Sequence, residues 1–312
     1  MFETFSATLN AMLVLFSYML IGFVAKKKDI LPDSAATVLS RLENYFFIPA
    51  VIINTFVEYC SIASLSENRN VILYCLLTLV IAFAIAMPLS KVFASDEYQR
   101  NIYRYALVFG NFSYMGMAIV PAVMGSEALY SYMLYVLPLC FVVYTWGTVI
   151  MIPKEKRKTF WQNLLNPTVV SIGIGIVLGL TGAKSVIPSF LTTTIQNCAS
   201  CMGPVAMILT GFIVGQYDLC KMINNKRVYI ATGLRLLVFP TLYIIVLSLL
   251  GADPIILFLT LFAFGTPLGV NTVVFPAAYG GDTSTGASMA MISHTLCIFT
   301  IPLLYAVLTR LI

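Results

Sequence analysis

The sequence is dominated by a succession of apolar runs, each close to twenty residues, separated by short hydrophilic breaks. A helix that crosses the hydrocarbon of a bilayer needs ~20 such residues, and ten runs approximately meet that length: 6–25, 36–57, 70–93, 101–124, 128–152, 167–183, 196–216, 228–250, 254–279 and 284–310. Of the 312 residues, 60% are hydrophobic and 10% charged, more apolar surface than a water-soluble fold of this size can hide. That balance excludes a soluble enzyme, a nucleic-acid binder and a disordered scaffold. The expected fold class is an all-α polytopic membrane protein with the lipid bilayer as its solvent.

The charges give an orientation. Lys26, Lys27 and Lys28 follow the first run, Lys91 and Arg100 the third, Lys154, Lys156, Arg157 and Lys158 the fifth, and Lys221, Lys226 and Arg227 the seventh. The opposite loops offer only Arg69 and Lys184. Positive residues stay in the cytoplasm, so both termini are expected outside a cell membrane. Arg41, Arg104 and Arg235 then fall at the cytoplasmic ends of spans 2, 4 and 8. Glu43, Glu58 and Asp282 fall near span ends and receive no role. The positive charge after run 9–25 reverses the order of a secretory signal, so this run reads as a retained first span.

Division after span 5 leaves 1–153 and 167–312 as two five-span halves joined by a connector at 154–166. An odd number of spans turns the second half upside down relative to the first. At an offset of 155 residues Pro49 falls on Pro204, Gly110 on Gly265, Pro121 on Pro276 and Gly125 on Gly280. Composition alone gives roughly one Pro–Pro or Gly–Gly match, so the four support an inverted repeat.

Spans 4 and 9 carry the chemistry. They read FGNFSYMGMAIVPAVMG (109–125) and FGTPLGVNTVVFPAAYGG (264–281), each with glycines, a proline and an asparagine inside an apolar run. Proline removes a helix hydrogen bond and glycine lowers the cost of unwinding. Freed backbone groups are tolerated at membrane depth only against protein or a watery cavity, so two interruptions at matching places point to a transport site. A half-helix starting there presents bare N–H groups and a partial positive charge, which suits a carboxylate. Asn111 and Asn271 add hydrogen bonding without a buried charge.

At these residues the chain resembles the auxin efflux carrier family, which includes plant PIN proteins and bacterial malate or malonate permease-like proteins. The likeness runs through NYFFIPAVIINTF (44–56), GNFSYMGMAIVP (110–121), LNPTVVSIGIGIVLGLTG (165–182), PVAMILTGFIVG (204–215), RLLVFPTLY (235–243) and TPLGVNTVVFPAAYGGD (266–282), ending in TIPLLYAVL (300–308). It implies ten helices in two inverted repeats with crossed, broken spans 4 and 9, as in NhaA and bile-acid symporters. It also implies a scaffold of spans 1, 2, 6 and 7 with a homodimer contact, a mobile unit of spans 3–5 and 8–10, and elevator-like alternating access. Asn111, Tyr114, Met115, Gly116 and Pro121 would serve the substrate from the first crossover. Pro267, Gly269 and Asn271 would serve it from the second, and Pro49 and Asn54 from the scaffold. Two departures stand out: Ala118 follows Gly116-Met117 where the family usually has proline, and Ser113 stands where glycine is frequent. The break in span 4 is therefore expected to be softer or displaced toward Pro121.

The lone His294 in span 10 is a candidate for proton coupling, with proton or sodium coupling both open. No cofactor or metal is expected: Cys198 and Cys201 form an isolated CxxC that lacks two further zinc ligands. An intramembrane hydrolase is the competing class, but HExxH needs two histidines and Ser293 beside His294 projects to another helix face. An anion-conducting channel is the other alternative to a carrier of a small mono- or dicarboxylate.

Overall fold

The computed structural model describes residues 2–152, 155, 165–278 and 280–312. The connector expected at 154–166 lies largely outside the described residues. Seven helices among the described residues are long and apolar enough to cross a membrane. They are α1 (Phe2–Lys27), α2 (Ala35–Tyr59), α3 (Arg69–Phe93), α6 (Ser126–Met151), α8 (Ser189–Gly215), α9 (Lys226–Leu249) and α12 (Ser284–Leu311). Between them lie α4 (Glu97–Val108) and α5 (Phe112–Met124), α7 (Pro167–Leu180), and α10 (Pro254–Phe264) and α11 (Asn271–Ala278). The run expected at 196–216 starts earlier because Pro188, with φ −57°, is already set for a helix and launches α8 at Ser189.

Glycine decides the closest packing. A methyl group on Gly22 of α1 would strike the backbone of Ile208, and one on Gly211 of α8 would strike the backbone of Met19. The two helices thus approach backbone to backbone at two points, as small residues allow in lipid. Gly175 and Gly179 of α7 meet Phe56 and Cys60 of α2 in the same way. The outer faces of these helices carry exposed Leu13, Ile21, Val170 and Val177, which lipid would cover.

The prolines do not break their helices. Wide π turns stand just ahead of three of them: Glu43–Phe47 before Pro49, Phe112–Gly116 before Pro121, and Leu234–Val238 before Pro240. A π turn absorbs the missing N–H and the ring's clash with the preceding carbonyl. The interruption of span 4 therefore lies at residues 109–111, where Gly110 and Asn111 sit. It is not displaced toward Pro121, which is inside α5.

Candidate functional site

The two interruptions meet. Gly110 and Leu268 form an isolated antiparallel bridge, and the Asn111 N–H donates to the Pro267 carbonyl at 2.7 Å. A methyl group on Gly110 would come within 2.5 Å of the Thr266 hydroxyl and 2.8 Å of the Arg235 guanidinium, so only glycine allows this approach. The Leu268 N–H is taken by the Ser293 hydroxyl at 3.0 Å.

The two half-helix starts are built differently. The Asn111 carbonyl accepts from both Met115 and Gly116, at 3.0 and 3.2 Å, and α5 has no side-chain cap. Among the described residues no acceptor meets the N–H groups of Phe112, Ser113 and Tyr114. At α11 the first turn closes on itself, since Thr272 donates to the Gly269 carbonyl and Val273 to the Val270 carbonyl. The second start thus bonds its Thr272 and Val273 N–H groups, while among the described residues no acceptor meets those of Gly269, Val270 and Asn271, so both interruptions offer open N–H groups.

A cavity of about 330 Å³ lies at this junction. Its lining includes Gly110, Asn111, Phe112, Ser113 and Tyr114 from the first interruption, and Gly269, Val270 and Asn271 from the second. Ser40, Arg41 and Asn44 of α2 and Asn166 and Thr168 at the start of α7 complete its polar wall. Among the described residues Arg41 is its one ionic side chain, and no acid lines it. Asn111 is buried, with its amide nitrogen 3.0 Å from His294 Nε2. His294 Nδ1 lies 2.7 Å from the Ala290 carbonyl, which only an N–H can satisfy, so Nε2 accepts from Asn111. Asn271 donates to the Tyr105 hydroxyl at 2.9 Å, and Asn44 to the Tyr114 hydroxyl at 3.2 Å.

The other sequence candidates fall elsewhere. Asn54 and Pro121 line a second cavity of about 660 Å³, between α2, α5 and α8. Along α2 the two cavities are reached at Asn44 and at Asn54, ~15 Å apart. Met115 and His294 face a gap of about 10 Å³ walled by Met12, Met19 and Met207. Gly116 is buried against the Tyr132 hydroxyl, Pro267 contributes its carbonyl to the bridge, and Pro49 lines none of the three spaces. Ser293 and His294 are bonded to different partners, so no serine–histidine dyad forms.

Two charged residues depart from the positions read in the sequence. Arg235, expected at a span end, is fully buried behind the junction, where it donates to the Phe264 carbonyl while Nε and Nη2 have no partner among the described residues. Glu43 is fully buried, and among the described residues both carboxyl oxygens are unpartnered. Both stand in the π turns ahead of Pro49 and Pro240; a charge a few residues before a proline in an apolar run was the available signal.

A search of curated proteins returned no match. The model of the membrane transport protein family matches residues 7–305, nearly the whole chain. Its members are transporters rather than enzymes, and the match agrees with a multi-pass membrane protein whose apolar helices meet around a polar cavity. The chain belongs to this membrane transport family, the auxin efflux carriers.

Proposed function

We propose that the protein is a secondary carrier of a small organic anion, a mono- or dicarboxylate, bound where spans 4 and 9 are interrupted. The observation that carries this reading is the open first turn of α5. Among the described residues, three N–H groups without acceptors face a cavity with one cation and no acid. Bare helix N–H groups and the helix dipole favour an anion, and the buried Arg235 guanidinium behind Gly110 adds positive potential with no carboxylate to cancel it. A space of 330 Å³ suits a small carboxylate.

The two cavities on either side of Met115 and Gly116 support alternating access over an open pore. In this reading ten spans form two inverted repeats, 1–153 and 167–312. The glycine-sealed pairs α1–α8 and α2–α7 are the scaffold and carry a homodimer contact, and the rest moves as an elevator. The protein lies in the cell membrane with both termini outside, and the Arg41 end of the site faces the cytoplasm. His294 orients Asn111, since its surroundings are methionines and aliphatics with no second titratable group for a relay.

Purified protein in liposomes, offered a panel of labelled carboxylates with unlabelled solute inside, tests the reading. Saturable counterflow of a carboxylate is expected. Flux without counterflow means a channel, and transport only of neutral or cationic solutes removes the anion assignment.

A further inference from the structure

We infer that Glu43 is a proton-binding site that couples transport to the pH gradient; this rests on the carrier reading above. The residue is fully buried in the π turn Glu43–Phe47 of α2, and neither carboxyl oxygen has a hydrogen-bond partner among the described residues. An ionisable side chain at membrane depth is costly and marks function by default, and a carboxylate without donors or a counter-cation is its costliest form. One bound proton removes that cost.

The surroundings leave Glu43 as the proton acceptor. Tyr114 is the titratable group that interacts with it electrostatically. Arg41, two residues back, lines the cavity. Of the helices packed against the π turn, α7 has no ionisable residue and α8 has only Cys198 and Cys201, neither fully buried. Further along α2, Glu58 is engaged by Lys184, with Tyr59 beside it.

A route to the cavity is at hand. Asn44, the next residue, joins the Ser40 carbonyl at 2.7 Å to the Tyr114 hydroxyl at 3.2 Å, and all three residues line the anion cavity. Glu43 belongs to the scaffold side and Tyr114 to the mobile side. Movement of α5 past α2 would uncover the carboxyl to cavity water, where the proton exchanges as Glu–COOH ⇌ Glu–COO⁻ + H⁺. A proton carried with each anion offsets one negative charge.

The test uses full-length protein in liposomes and two readouts. In pH-difference infrared spectra, the wild type is expected to show a carboxylic acid band that Glu43→Gln lacks and Glu43→Asp retains in shifted form. In transport, with labelled malate and labelled malonate as probes, an inward acid gradient of one unit is expected to raise wild-type accumulation up to about tenfold, the limit for one proton. Glu43→Gln, which imitates the protonated side chain, is expected to lose that stimulation and keep counterflow, which also reports that it is folded. Persistence of the band or of the acid stimulation in Glu43→Gln overturns the proposal, as does a wild type driven by sodium instead. Absence of counterflow with any carboxylate in the wild type counts against the carrier reading, while the infrared band still decides the proton site.

Discussion

The two interruptions each carry an asparagine at a cavity wall, yet they differ in length and in bonding. The first is three residues long and opens into a half-helix whose leading N–H groups are bare. The second, six residues long at 265–270, follows an apolar helix and closes its own first turn. Their asparagines differ as well: Asn111 is held by the buried His294 ring, and Asn271 by the Tyr105 hydroxyl. Matching breaks can thus differ in how their first turns close and in what holds their asparagines.

Substitutions can break or sharpen that contrast. The largest effect is expected from Gly110→Val, whose branched side chain collides with Thr266 and Arg235 and pries the breaks apart. Overpacking of this kind costs about 1–3 kcal/mol or more, so a fall in melting temperature with loss of transport should be measured. Asn111→Ala should weaken carboxylate binding by about ten- to a hundredfold, since the amide is lost from the cavity wall and the buried His294 Nε2 acceptor is left unpaired, with expression and fold intact. Wild-type affinity in that variant would remove the first break as the binding end.

His294→Ala frees the Asn111 amide and should cost less, about three- to tenfold in affinity, roughly one hydrogen bond. Its pH profile should match the wild type, because the proton site is assigned to Glu43; a flattened profile would return the coupling to the histidine. Asn271→Ala should change affinity by about two- to fivefold, the mark of a wall residue tied to Tyr105. An effect as large as that of Asn111→Ala would restore the symmetric cradle. Gly269→Ala should be mildest, because the added methyl meets Tyr105 at an ordinary 3.4 Å. Binding and stability within twofold, by isothermal titration and thermal melts, are expected there.

Much of this was legible in the residues. Run lengths forecast the helices, and the Gly-Asn and Gly-Thr-Pro-Leu-Gly stretches forecast two breaks, since backbone freedom is encoded locally. The position of the first break was misread because Pro121 looked like its cause. Pro121, like Pro49 and Pro240, is instead preceded by a π turn, an accommodation that pattern does not reveal. Glu43 and Arg235 were read as span-end charges for a related reason. Burial depends on which neighbouring element covers a residue: α7 and α8 pack on the π turn of Glu43, and the Gly110 junction covers Arg235.

The wall between the two cavities is thin. Tyr114 lines one and Met117 the other, three residues or ~4.5 Å apart along α5. Were water to reach the two cavities from opposite faces, the membrane voltage would fall almost entirely across that septum. A solute carrying one net charge would then feel about 2.3 kcal/mol per 100 mV over a shift of a few ångströms. Such a focused field makes the charge state of the loaded site, more than the distance it moves, the quantity that fixes how strongly voltage drives it.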